Sequence, residues 1–183
     1  MDFEEFRQSC IVHKMREGET VTAFDCGDDD LNDFILTDAP LYRKEKLAVT
    51  YLVVGREDGR VIAYFSLVND RISTADFDSR TLYNRFSRRF NNRKRLRSYP
   101  AAKIGRLAVA VDMKGEKIGS ILLHFIKLYF TADNKTGCRF LTVDAYKAAV
   151  PFYQRNGFVP LNDGELDDAT RLLYIDLNDL DED

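Results

Sequence analysis

Several things are missing or scarce in this 183-residue chain. No apolar run approaches the ~18 residues that a membrane-spanning helix needs. The opening, MDFEEFRQSC, is acidic and has no apolar block after a basic start, which argues against a secretory signal. Cys10, Cys26 and Cys138 lie far apart and match neither a zinc spacing nor a disulfide framework. A reduced, cytoplasmic setting is the simplest expectation. His13 and His124 are the only histidines. The first reads as structural or exposed and the second as solvent-facing on a helix. Asp25, Asp28, Asp29, Asp30 and Asp33 lack the glycine and closing glutamate of an EF-hand, so they read as a capped, solvated helix start. No metal is expected. There is no internal repeat and no linker, so residues 1–183 are expected to form one domain.

Acidic residues are absent from RTLYNRFSRRFNNRKRLR, Arg80 to Arg97, which carries eight basic ones. That leaves 19 basic residues against 30 acidic ones elsewhere, a local balance of about −11 in a chain of net charge −3. The expectation is a basic insertion at about 78–99, paired with a short acidic tail, DLNDLDED. Tyr83, Phe86 and Phe90 recur in it at near-helical spacing, either buried or available for stacking. One reading is an exposed insertion that contacts the acidic remainder or a neighbouring subunit. The other is a cationic surface for an RNA backbone, with Arg88, Arg89, Arg93 and Lys94 as candidate contacts.

What is present alternates strands and helices. CIVHKMRE reads as a first strand. Asp28–Asp30 begin a helix with Leu31, Phe34 and Ile35 on its apolar face; Pro40 breaks or restarts it, and a second short helix runs to Lys46. Val49–Val54 and Val61–Val68 flank a Glu57-Asp58-Gly59 turn and predict a hairpin. Ala102–Val111 is nearly all apolar, as in a strand covered on both faces. Ile118, Ile121, Leu122, Phe125, Leu128 and Tyr129 mark an amphipathic helix. RFLTVDA, AAVPFYQRNGF and TRLLYIDL predict a strand, a short helix closed by Gly157, and a last strand. The whole reads as a mixed α/β domain, with antiparallel pairing early and a βαβ unit late.

Between the central strand and the long helix lies MKGEKIGSILL. A strand that enters a helix through such a loop presents free backbone N–H groups and the positive end of the helix dipole to a diphosphate. RLAVAVDMKGEKIGSILL resembles the acetyl-CoA segment of the GCN5-related N-acetyltransferases, a strand followed by Gln/Arg-x-x-Gly-x-Gly/Ala and a helix. Lys114 falls on the Gln/Arg position, Lys117 on the first glycine and Gly119 on the last Gly/Ala. DAYKAAVPFYQRNGF resembles the family's next unit, with Phe152, Tyr153, Gly157 and Phe158 at its Phe-Tyr-x-x-x-Gly-Phe positions. FDCGDDDLNDFI and LAVTYLVV resemble a branch that includes acetyltransferase toxins of toxin–antitoxin pairs.

The resemblance implies an acyl-CoA N-acyltransferase fold with a splayed central strand, and acetyl-CoA as cosubstrate. Leu107, Ala108 and Val109 would hold pantetheine and thioester through their backbone. Lys114, Gly115, Glu116, Lys117, Ile118, Gly119 and Ser120 would hold the diphosphate. Direct transfer to an amine needs a neutral amine, a stabilised oxyanion and a proton for the departing thiolate. Tyr153 is the implied acid and the Val109 N–H the implied oxyanion donor; no general base stands out. The toxin-like branch makes an aminoacyl-tRNA a candidate acceptor. A small-molecule or protein amine, a non-catalytic CoA- or RNA-binding module, a homodimer and an antitoxin partner stay open. If the position of Lys117 requires a positive φ, the loop is strained there.

Overall fold

The computed structural model describes residues 1–90, 96–132, 136–162 and 169–180. Six helices and seven strands are described: α1 Phe3–Ser9, β1 Cys10–Lys14, α2 Asp29–Asp33, α3 Ala39–Lys44, β2 Val49–Gly55, β3 Val61–Ser73, α4 Arg80–Ser87, β4 Ser98–Val109, α5 Ile118–Thr131, β5 Phe140–Tyr146, α6 Val150–Arg155, β6 Val159–Pro160 and β7 Thr170–Asp176. Backbone pairing runs in the order β1-β2-β3-β4-β5-β7-β6. β1–β2 and β2–β3 are antiparallel. β4–β5 is parallel over Ala101–Lys103 against Phe140–Thr142. β5–β7 and β6–β7 are antiparallel again. This is the mixed α/β architecture expected from the sequence.

The chain divides into two compact units, Met1–Val68 with Ile104–Ile126, and Asn69–Lys103 with Lys127–Asp183. In the first, one face of the hairpin buries Leu52 and Tyr64 under Phe34, Ile35 and Ala39. The Tyr64 hydroxyl donates to the Leu31 carbonyl at 2.6 Å, so the buried phenol leaves no orphan donor. On the other face Phe65 stacks on Tyr51 at 4.9 Å and meets Phe125 of α5 at 6.1 Å. In the second unit Tyr83, Phe86, Tyr99, Phe140 and Tyr174 form a buried aromatic cluster, with Phe77 and Phe90 packed against it.

Four departures from the expected elements have local causes. A capping box between Asp2 and Glu5 starts α1, which the apolar pattern does not announce. The restart expected at Pro40 holds, with Pro40 in the first turn of α3; what the pattern does not announce is the π-helical turn over Phe34–Asp38 before it. The buried stripe of α5 is Ile118, Ile121, Leu122, Leu123 and Ile126, whereas Leu128 and Tyr129 are 45% and 44% exposed. The acidic tail is not all solvated: Asp176 is buried and takes a 2.8 Å bond from Arg139, and 177–180 form a short 3-10 turn. Residues 181–183 lie outside the described residues.

Two helices end in the same way with different residues at the critical point. At the end of α6, Phe158 N–H donates to the Tyr153 carbonyl at 3.1 Å and Gly157 N–H to that of Gln154 at 3.0 Å. The Tyr153 and Phe158 rings meet edge-on at 5.5 Å. This is a Schellman ending, and it gives the Phe-Tyr-x-x-x-Gly-Phe spacing a physical reason: the aromatics at either end are its hydrophobic contact. At the end of α3, Leu47 N–H donates to Tyr42 and Lys46 N–H to Arg43, at 2.8 and 3.1 Å. Here the left-handed residue is Lys46, at φ +58°, where Gly157 has +87°. The expected second helix therefore stops at Lys44. A left-handed non-glycine costs about 1–2 kcal/mol. Lys46→Gly is expected to raise stability by about 1 kcal/mol. Gly157→Ala, whose Cβ would lie 3.3 Å from Ile175 Cδ1, should lower it by at least as much. Urea unfolding midpoints at constant slope test both.

Candidate active site

The central strand β4 delivers the phosphate-loop candidate. Ala110 N–H is bonded to the Ile62 carbonyl of β3 at 2.9 Å. Successive N–H groups of an extended strand point to opposite edges, so the Val109 N–H is directed away from β3. The chain then turns through a 3-10 segment, Val111–Met113, whose first N–H is held by the Asp25 carbonyl at 2.9 Å. Lys114 follows in extended conformation. Its ammonium lies close to the Asp25–Gly27 turn, and its charge helps hold the Asp25 carboxyl below its usual range, after the bonds from Gly27 and Asn32.

Two residues of the loop are left-handed, Gly115 at φ +92° and Lys117 at +61°. Lys117 occupies the position that the resemblance assigns to glycine, and the positive φ there accounts for that preference. The curl leaves donors free. Ser120 and Ile121 N–H both return to the Lys117 carbonyl, at 3.0 and 3.1 Å, and Glu116 N–H goes to Met113. The N–H groups of Gly115, Lys117, Ile118 and Gly119 have no acceptor among the described residues. No atom lies within 4 Å of where a Gly115 Cβ would sit. Ile118 is buried and anchors the helix start, while Lys114–Lys117 are exposed. Four unpaired donors, an open glycine and the positive end of a 14-residue helix form a cradle that fits a diphosphate.

A cleft of about 600 Å³ borders the same end of β4, lined by Phe24, Asp25, Leu36, Ala110, Val111 and Asp112 among others. Sequence reading did not single out this cleft; Leu36 of the π-helical turn is its contribution from the apolar helix. Leu107 and Val109 of β4 are half-buried and Ala108 is buried beside Tyr64 and Phe34.

Tyr153 lies in the second unit, on α6, and is 7% exposed. Burial pushes its phenol up to about 12. The hydroxyl has no hydrogen-bond partner among the described residues. Such a group is fully protonated at neutral pH, the state a proton donor requires. α6 is held from outside: Lys127 Nζ donates to the Asn156 carbonyl at 2.5 Å, at the helix end where a cation is favoured. Lys127 is thus half-buried.

The basic stretch is only partly a surface. Arg88 and Arg89 are exposed, but Arg89 donates to the Tyr174 hydroxyl at 2.6 Å and lies 3.9 Å from Asp179. Tyr83 and Phe86 are buried, and Phe90 is packed on them, so none is a stacking platform. Arg93 and Lys94 lie outside the described residues. His124 is exposed, edge-on to Phe3, and His13 is bonded to Glu19 at 2.8 Å. Among the described residues no cluster of His, Cys, Asp or Glu suits a metal ion, and no helix is long and apolar enough to cross a membrane.

Lys117→Gly is expected to stabilise the fold by about 1 kcal/mol through relief of the left-handed lysine. Acetyl-CoA affinity should hold within about threefold, because the backbone supplies the donors. Thermal melts with and without acetyl-CoA test this; a large loss of affinity would instead assign the phosphate contact to the Lys117 side chain.

A family model described as an acetyltransferase (GNAT) domain matches residues 48–160, well over half of the chain. Several solved structures share the fold. One is a tyrosine-to-phenylalanine mutant of KacT, 21% identical, with a TM-score of 0.74 over 96% of this chain and 99% of that one. Another is AtaT complexed with acetyl-methionyl-tRNAfMet, 20% identical, with a TM-score of 0.74 over 94% and 97%. A third is AtaTR bound with acetyl-CoA, 21% identical, with a TM-score of 0.74 over 95% and 97%. A helix start with unpaired N–H groups fed by a central strand and a Schellman-closed helix carrying Phe-Tyr-x-x-x-Gly-Phe agree with the family match: the chain belongs to the acetyltransferase (GNAT) domain family.

Proposed function

We propose that this acyl-CoA-dependent N-acetyltransferase moves the acetyl group directly from acetyl-CoA to the amino group of an aminoacyl-tRNA. The observation that carries the cosubstrate half is the set of unpaired N–H groups at Gly115, Lys117, Ile118 and Gly119. They are placed to take diphosphate oxygens, with Lys114 and Ser120 alongside. The backbone of Leu107, Ala108 and Val109 then takes pantetheine and thioester, with the Val109 N–H as donor to the developing oxyanion. As the C–N bond forms and the C–S bond breaks, Tyr153 gives its phenolic proton to the departing thiolate, and the proton shed by the amine leaves to solvent, from which the phenol is restored. The acceptor half is supported by the likeness to AtaT, solved with acetyl-methionyl-tRNAfMet over nearly its whole length.

Tyr153→Phe should lower kcat by about 10²-fold, the usual worth of a positioned proton donor, while acetyl-CoA binding is retained. Unchanged turnover would remove Tyr153 from the chemistry. With its pKa near 12, the wild type should show no alkaline loss of kcat up to about pH 10, the ordinary range of a phenol. An acceptor screen with labelled acetyl-CoA and charged tRNA decides between this acceptor and a small-molecule or protein amine.

The basic stretch serves, on this reading, as an RNA contact of limited strength. Replacing Arg88, Arg93 and Lys94 by glutamine should lower the slope of log affinity against log salt by about one for each phosphate no longer neutralised. Arg89→Gln should in addition lower the melting temperature, because Arg89 holds Tyr174 and Asp179. A salt slope unchanged in all four variants would leave the stretch a structural insertion.

A further inference from the structure

Arg106 stands apart from the other arginines described. It lies on β4, three residues before Val109. Its guanidinium carbon is 3.9 Å from the centre of the Phe34 ring and 5.6 Å from that of Tyr42. Those two rings meet edge-on at 5.3 Å, so the cation sits against an aromatic corner. Phe34 opens the π-helical turn Phe34–Asp38, a geometry frequent at functional sites, and Tyr42 comes from α3 directly after it.

An arginine carries five N–H donors. Among the described residues, none of those of Arg106 finds an acceptor and no carboxylate pairs with it. Its Nε is buried without a partner. The residue as a whole is half-buried, so its two terminal nitrogens stay within reach of a ligand. A purely structural role fits poorly. Packing alone would be met by leucine or methionine at this spot without the cost of half-burying an uncompensated cation. Arginine stacked on an aromatic face with its fork unused is the arrangement that recognises carboxylate or phosphate oxygens bidentately.

We propose that Arg106, backed by Phe34 and Tyr42, binds an oxygen anion carried by the acceptor and so fixes its amine relative to the acetyl group. The proposal rests on the acetyltransferase reading above. Strand residues advance ~3.3 Å each, so Arg106 and Val109 are about 10 Å apart along β4. That span fits the phosphate of a nucleotide ester, several bonds from the amine, better than a carboxylate three bonds away, which needs the guanidinium to reach back toward Val109. Two acceptors share this chemistry: the phosphate of a terminal nucleotide whose ribose bears the aminoacyl ester, and the carboxylate of a free amino acid.

The test compares wild type, Arg106→Gln and Arg106→Lys on three acceptors: an amino acid esterified to the 3′ hydroxyl of adenosine, the same ester on adenosine 5′-monophosphate, and the free amino acid. With a phosphate ligand, Arg106→Gln lowers kcat/KM about 10- to 100-fold on the phosphate-bearing ester, through KM. The phosphate-free ester and the KM for acetyl-CoA are unmoved. With a carboxylate ligand, the loss falls on the free amino acid. Arg106→Lys restores little, because an ammonium does not reproduce the fork. Equal losses on all acceptors, or a raised KM for acetyl-CoA, would overturn the proposal. If wild type uses none of the three, the acceptor reading fails, and a titration with inorganic phosphate decides the site. The Arg106 Nε–H resonance must shift in the wild type, and its failure to shift overturns the binding role.

Discussion

The first turn of α5 cannot hydrogen-bond within itself, and much of this structure follows from that. A helix start always leaves N–H groups without partners. Here the preceding strand is fixed by the Ala110–Ile62 bond and the turn after it by the Val111–Asp25 bond. The unpaired donors are therefore held in place by the core. Ile118 is buried at the helix start, so the loop is pinned at both ends while Lys114–Lys117 stay exposed, Glu116 pairing with the Met1 ammonium at 3.1 Å. The strand fixes where the donors are, the buried helix face fixes their direction, and the two left-handed residues form the curl between them.

The same logic explains how much could be read beforehand. The hairpin, the central strand, α5, β5 and β7 all follow from apolar periodicity, because burial on one or both faces is written directly into side-chain type. The candidate phosphate loop was legible as a strand–loop–helix junction, and Gly157 as a helix end. Short elements were not. α1 depends on a capping box at Asp2 and Glu5, and the π-helical turn on packing around Phe34 and Pro40. Neither leaves a periodic trace. Leu128 and Tyr129 continue the apolar spacing of α5 beyond the part that is buried. Pattern alone gives no point at which the cover ends.

The basic stretch shows a different limit. Its charge was plain in the sequence, but its partners were not. Tyr83, Phe86 and Phe90 belong to an aromatic core, and Arg89 is tied to Tyr174 and Asp179 across more than 80 residues of chain. Arg106 is the reverse case. Nothing about one arginine in an apolar strand announces a site. What marks it is three-dimensional: an aromatic corner on one side and no anion on the other.

If backbone amides do the gripping, as proposed, the loop of Gly115–Gly119 carries almost no chemical identity. That lets glutamate and lysine stand where small residues are customary. It also means that the loop by itself discriminates poorly: any soluble diphosphate of the right shape meets the same donors. On that reading, selectivity for one thioester among many nucleotides falls to the edge of β4, the place proposed for the pantetheine arm.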